Sequence, residues 1–186
     1  MEKRPYRMRA RAEAAAETQR RILAAVRELA VERFLDEITL DDVAERAGVA
    51  TRTVIRRFGG HDGLIRAAVD TANGDVQVRR DETPVGDVGD AVQAVFDDYE
   101  SYGDALMMML AQERRHPELL RPLADAGRQA HWQWIERVFE PRDRLRAAQL
   151  VAATDVYTWK LLRRDLALTR AQAKAAMTDM VERLVA

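Results

Sequence analysis

Apolar positions recur at spacings of three and four along almost the whole chain, with no run of period-two alternation. Ile22, Val26, Leu29, Ala30 and Phe34 share one face, which predicts a helix over about residues 12–35. Leu40, Val43, Ala44 and Ala47 predict a second helix. Thr39 precedes it as an N-cap, Asp42 puts negative charge in its first turn, and Gly48 ends it. A short third helix is expected over about 51–58, stopped by Gly59 and Gly60. A fourth starts near His61 or Asp62 and carries Leu64, Ile65, Ala68 and Val69. Residues 73–86 mix glycine, proline and charge without a period, and read as a frayed helix end and a loop.

Helical spacing resumes at Val88, Val92, Val95, Phe96 and Tyr99. Tyr102 and Gly103 predict a bend, followed by a helix through Leu106, Met109 and Leu110. Another helix is expected from Leu123 to Phe139, with Pro117 and Pro122 near helix starts and Pro141 ending it. Two last helices are expected over about 142–166 and 170–185, the second capped by Thr169. The helix over 142–166 bears two apolar stripes. One is Leu145, Ala148, Ala152, Val156, Trp159 and Leu162; the other is Ala147, Leu150, Thr154, Tyr157 and Leu161. A helix on a single core needs one stripe, so the second asks for another surface. The pattern as a whole predicts an all-α fold of about nine helices, with a small domain over 1–60 and a larger one over 61–186.

Composition narrows the classes. Of 186 residues, 47% are apolar and 33% charged, with both signs interspersed, which suits a folded domain and not a disordered chain. There is no cysteine, which excludes disulfides and thiolate metal ligands and fits a reducing, cytoplasmic setting. No run of about 18 apolar residues occurs, so no membrane span is expected. The basic N-terminus lacks the apolar stretch of a secretory signal. The net charge of −1 conceals an asymmetry. Residues 1–66 hold 14 basic and 11 acidic groups; residues 67–186 hold 16 and 20. Lys3, Arg4, Arg7, Arg9 and Arg11 stand against Glu2 alone in the first eleven positions. That end suits a polyanion, or is a solvated tail.

The segment from Gly48 to Leu64, GVATRTVIRRFGGHDGL, carries the most specific chemistry. Helix, glycine-containing turn and short helix is the helix-turn-helix arrangement, in which the second helix enters the major groove. Ala44 allows the two helices to approach. Val49, Val54 and Phe58 are expected to face a small core, leaving Thr51, Arg52, Thr53, Arg56 and Arg57 outside. Arginine grips guanine O6 and N7 in bidentate fashion or pairs with phosphate. Threonine offers a hydroxyl to phosphate and a methyl to thymine. The alternative is an ordinary helical hairpin with a solvated face.

From about Gln19 to Leu64 the sequence resembles the DNA-binding domain of TetR-family transcriptional repressors. The resemblance rests on Thr39, Val43-Ala44, Ala47-Gly48-Val49, Thr53, Phe58 and Leu64. It implies that Thr39, Thr51, Arg52, Thr53, Arg56, Arg57 and His61 serve DNA binding, supported by Lys3 and Arg4 of the tail. Four positions depart from the family pattern. Ala50 stands where a capping serine is usual, and Ile55 where a phosphate-contacting tyrosine is common. His61 stands where a lysine opens the fourth helix, and Phe34 where a glycine ends the first. Thr51 takes over the missing cap, or about 1 kcal/mol of capping is forgone.

The resemblance further implies that the C-terminal two-thirds senses a small molecule and dimerises. Leu150, Thr154, Tyr157, Leu161, Met177, Met180 and Leu184 are the dimer-interface candidates, forming a four-helix bundle with a second copy; burial within one chain is the alternative. Phe96, Tyr99, Tyr102, Met107, Met108, Met109, His131, Trp132 and Trp134 are candidates for an apolar or aromatic ligand pocket, or for plain core. The three histidines, His61, His116 and His131, are scattered, and no HExxH or GxGxxG occurs. No catalytic residue, metal site or cofactor is expected. The expected function is a dimeric repressor that binds a palindromic operator and is released by an effector. An all-helical adaptor that binds protein partners is the alternative.

Overall fold

The computed structural model describes the backbone of residues 3–186, with side chains from Met8 onward except Ala10. Its helices are α1 (Lys3–Glu32), α2 (Leu40–Ala47), α3 (Thr51–Phe58), α4 (His61–Asp81), α5 (Val88–Ala111), α6 (Pro117–Phe139), α7 (Arg144–Ala153), α8 (Val156–Lys160) and α9 (Arg170–Val185). A 3-10 turn spans Leu35–Glu37, and one π-helical turn, Leu161–Asp165, continues α8. Among the described residues there is no strand, and no helix is long and apolar enough to cross a membrane. The chain divides into two compact units, Met1–Asp70 and Thr71–Ala186.

In the first unit, α1 begins about nine residues earlier than the pattern predicts. The segment RARAEAAAE is rich in strong helix formers but carries no stripe, so periodicity does not register it. The helix also ends before Phe34, whose backbone is extended (φ −68°, ψ 152°), and the Glu37 carboxylate accepts the Phe34 N–H at 3.2 Å. Thr39 caps α2 as expected, and the cap is reciprocal. Its hydroxyl accepts from the Asp42 N–H at 3.1 Å while the Asp42 carboxylate accepts from the Thr39 N–H at 2.8 Å. Gly48 (φ 64°) and Gly59 (φ 77°) end α2 and α3 in the left-handed region, where a side chain would be strained. Ile22, Ala25, Val26, Leu29, Val43, Ala44, Val54, Leu64 and Ile65 are buried as the core of this unit. Phe58 and Val49, expected in that core, are only half-buried.

Four expectations for the second unit are corrected. Residues 73–81 are not a loop: α4 runs through to Asp81, so the break is confined to residues 82–87. The bend at Tyr102-Gly103 does not occur, and α5 is continuous. Gly103 is there for contact, since a Cβ on it would lie 2.5 Å from Cζ3 of the buried Trp159. Likewise α6 begins at Pro117, its first position, and holds Pro122 in its second turn at the loss of one backbone hydrogen bond.

The fourth correction matters most. Residues 142–166 are not one helix. α7 stops at Ala153, Thr154 and Asp155 interrupt it, and the Asp155 carboxylate caps α8 through the Tyr157 N–H at 2.9 Å. The interruption shifts helical phase, so each apolar stripe changes face at the break. Ala147, Leu150 and Thr154 of the second stripe are buried before it; Val156, Trp159 and Leu162 of the first are buried after it. The outward positions are therefore Leu145, Ala148 and Ala152, then Tyr157 and Leu161. Leu150, Thr154 and Met177 were expected at a dimer interface, yet each is fully buried in this chain's own core. Met180 and Leu184 are half-buried, packed on the edge of that core.

Candidate nucleic-acid interface

The sequence places α3 on a braced support. On α2, Arg46 donates to Glu32 of α1 at 3.0 and 2.9 Å and to Glu28 at 3.3 Å, and this contact holds the Glu32 carboxyl below its ordinary value. Asp41 of α2 accepts the Thr51 hydroxyl from the first turn of α3. Thr51 is thus tied to α2 and does not replace the missing cap: α3 has no side-chain cap at Ala50, and about 1 kcal/mol of capping is forgone. Val54, fully buried, anchors the inward face.

The outward face carries Arg52 and Arg56, one turn apart at i and i+4. Both are exposed, and neither has a hydrogen bond or ion pair among the described contacts. Such a pair of undirected guanidiniums is available to phosphate or guanine. The remaining candidates are placed differently. Arg57 is half-buried and turns back toward α1, with Nη1 3.5 Å from the Gln19 side-chain oxygen. Thr53 is half-buried. Thr39 is exposed, but its hydroxyl serves the α2 cap and faces Asp42 at 2.7 Å. His61, at the start of α4, donates from Nε2 to the Leu35 carbonyl at 3.0 Å and so braces α4 on the 3-10 turn. The side chains of Lys3 and Arg4 lie outside the described residues. An apolar side chain, Ile55, shares the outer face and is 48% exposed.

In the second unit the expected pocket residues are mostly core. Phe96 is fully buried, Tyr99 and Trp134 nearly so, and Tyr102, Met107, Met108, Met109 and Trp132 are half-buried. Of these, Trp132 alone lines a described cleft, a surface groove of about 530 Å³ shared with Glu136, Glu140, Pro141, Asp143, Arg144 and Ala147. Tyr102 donates its hydroxyl to Asp75, and Trp132 its indole N–H to Glu136.

His131 belongs to a buried polar chain that sequence reading missed. Asp98 of α5, 1% exposed, accepts from Arg79 Nε at 2.6 Å and Arg80 Nε at 3.0 Å, both in the last turn of α4. Arg80 Nη1 lies 2.7 Å from His131 Nδ1. A guanidinium only donates, so Nδ1 accepts and the ring is the neutral Nε2–H form. Nε2 then donates to the Thr154 hydroxyl at 3.0 Å, which donates to the Leu150 carbonyl at 2.8 Å. The Tyr99 hydroxyl donates to the Thr154 carbonyl at 3.2 Å, and burial pushes its pKa up to about 12. The Trp134 ring packs under Arg80, with the guanidinium carbon 4.9 Å from its centroid. A signal was available: Ala91, Val95 and Asp98 fall at i, i+4 and i+7, so a carboxylate occupies a core register.

Burial, and then the Arg80 charge, push the His131 pKa down from 6.5 to about 3. Between those values the unfolded chain takes up a proton that the folded chain refuses. Stability from this site is complete above about pH 6.5 and falls by about 1.4 kcal/mol per unit below it. From pH 7 to pH 5, wild type should therefore lose about 2 kcal/mol more than His131→Gln, whose amide can accept from Arg80 and donate to Thr154. Urea unfolding at both pH values measures this, and parallel losses in the two proteins would contradict it.

Comparison with known proteins agrees with this architecture. Residues 22–68 match the family model for bacterial regulatory proteins of the TetR family. No curated protein matches the chain. Among solved structures, a transcriptional regulator from Rhodococcus sp. Rha1 aligns with a TM-score of 0.71 at 20% identity, covering 89% of this chain and 95% of that one. A chain from Mesorhizobium loti assigned as a TetR-family transcriptional regulator aligns at 0.65 and 16% identity, over 91% and 96%. A chain from Streptomyces coelicolor A3(2), assigned as a transcriptional regulator, aligns at 0.63 and 23%, over 88% and 98%. At these identities the structures establish the fold, and the family model establishes the segment that bears α2 and α3. A segment that matches the TetR-family model thus sits on a fold shared with these solved transcriptional regulators.

Proposed function

We propose that this chain is a TetR-family transcriptional regulator, a homodimeric repressor that binds a palindromic operator through α3 and is released by a small apolar or aromatic effector. The observation that carries the DNA contact is the pair Arg52 and Arg56, exposed and without partners among the described residues, on a helix anchored by Val54 and Asp41. A helix of eight residues reads few base pairs, so two copies on a two-fold axis are needed for a usable site. The outward stripe Leu145, Ala148, Ala152, Tyr157 and Leu161 supports the second copy: Leu145 is 70% exposed and Tyr157 57%.

The proposed coupling runs along α4, which begins at His61 beside α3 and ends in the buried Arg79–Arg80–Asp98 contact. An effector among α5 and α6, near the half-buried Tyr102, Met107, Met109 and Trp132, would bind one arrangement of that contact better than the other. Only such a difference can change operator affinity. DNase footprinting of the gene's upstream region with purified protein tests the reading. A protected palindrome is expected, and its absence there and beside neighbouring genes would count against operator repression.

Arg52→Ala should lower affinity for the selected operator by about ten- to a hundredfold and relax preference at one base position. Replacing Lys3 and Arg4 should weaken all sequences alike and flatten the salt dependence. Titrations by fluorescence anisotropy at several salt concentrations separate the two; equal effects would reduce Arg52 to a phosphate contact.

A further inference from the structure

We propose that Ile55 reads a thymine methyl group, one in each half-site, and so sets base preference at a position that no arginine addresses. This rests on the DNA-binding reading above. Three observations lead to it. Ile55 is 48% exposed on α3, so it contributes little to the core in which Val54 is fully buried. It lies three residues after Arg52 and one before Arg56, on the face that carries both guanidiniums, which have no partner among the described residues. Helix stability does not account for it either, since a β-branched residue at an exposed position is a poorer helix former than alanine or lysine.

The chemistry identifies the ligand. The major-groove edges of the four base pairs present donors and acceptors, and the C5 methyl of thymine is their one apolar group. An exposed isoleucine facing that groove without a methyl partner would desolvate polar base edges and give nothing back. Opposite a thymine, it buries apolar surface on both sides. The Thr51 hydroxyl, which could have offered a second polar contact nearby, is committed to Asp41. The expected half-site therefore sets a thymine beside a base or phosphate held by Arg52 or Arg56. The same arrangement explains why a short side chain without a polar end is compatible with this face.

The test removes the methyl from the DNA and the side chain from the protein. High-affinity sites are first selected from a randomised duplex pool with wild-type protein. Each thymine of the recovered half-site is then replaced by uracil, which deletes only the methyl, and affinities are measured for wild type and Ile55→Ala. At one symmetric position uracil should weaken wild type about fourfold per half-site, the equivalent of one buried methyl group. Ile55→Ala should bind thymine and uracil sites equally there, and should retain its thermal unfolding midpoint within a degree or two. If no position discriminates thymine from uracil, or if Ile55→Ala discriminates as wild type does, the proposal is overturned while the DNA-binding reading stands. A uniform loss on all sequences would make Ile55 a general packing contact and also overturn it. Failure of wild type to select any sequence would remove the DNA-binding reading itself.

Discussion

Asp98→Ala is expected to destabilise the second unit by about 3–5 kcal/mol, the largest effect of any single substitution considered for it. The carboxylate is 1% exposed and stands between two guanidiniums, with Arg80 itself 6% exposed. Removing it leaves a buried cation that can neither reach water nor lose its proton. Arg80 would then have as neighbours the neutral His131 ring and the Trp134 face, and neither compensates a full charge. Urea unfolding followed by tryptophan fluorescence, to which the buried Trp134 and Trp159 report, should show a midpoint lowered by about 1–2 M. Asp97→Ala is the control, one residue away. Its ion pair with Arg170 is about half exposed on both sides, and its loss should cost under about 1 kcal/mol. Similar midpoints for the two variants would contradict the assignment of Asp98 as the buried anchor of α4.

Gly63→Ala is expected to disrupt the first unit and DNA binding together. A Cβ at Gly63 would overlap the Phe58 carbonyl oxygen and lie 3.1 Å from its carbon. The obstacle is backbone, so no rotamer change relieves it, and the end of α3 must move away from the start of α4. The cost should reach about 3 kcal/mol, the upper end for overpacking. Because α3 is the displaced element, affinity for DNA should fall beyond what the lost stability explains. Gly74→Ala in the same helix is the contrasting case. Nothing lies within 4 Å of its would-be Cβ, and the change should stabilise α4 by about 0.5–1 kcal/mol. Unfolding midpoints and anisotropy titrations on both variants check the pair; intact binding by Gly63→Ala would refute the close approach.

The candidate interface was legible to different degrees at different residues, for physical reasons. The α2–turn–α3 segment reads directly because its signals are local: the Thr39 cap, glycine at the two left-handed positions and a buried Val54 all lie within a turn of what they control. Outward placement of Arg52 and Arg56 follows from the same short period. The side-chain contacts of Arg57 and Thr51 were not legible because their partners, Gln19 and Asp41, are 38 and 10 residues away. Periodicity says which side of a helix a residue occupies, and nothing about which distant group its long or polar side chain will reach.

Gly103 and Pro122 show a related limit. Each is a local breaker by propensity, yet each sits inside a helix, because packing over a long helix outweighs about 1 kcal/mol of propensity for glycine and about 3 for proline. Gly103 in addition makes room for Trp159, 56 positions on.

What the amino-acid sequence determined by itself was the all-helical class, the helix-turn-helix segment and its basic outer face. Those depend on backbone preferences and on contacts within about four residues. Only the tertiary structure decided which apolar stripe of residues 144–165 is core and which remains outside, since a two-residue interruption at Thr154-Asp155 exchanges them. It also decided that Arg80, Asp98, His131 and Thr154 form one buried chain, with Arg79 joining it from the half-buried edge. Burial and pairing of polar groups are set by elements that meet across long stretches of chain, and the free energy of a charge depends on where it ends up more than on which residues flank it.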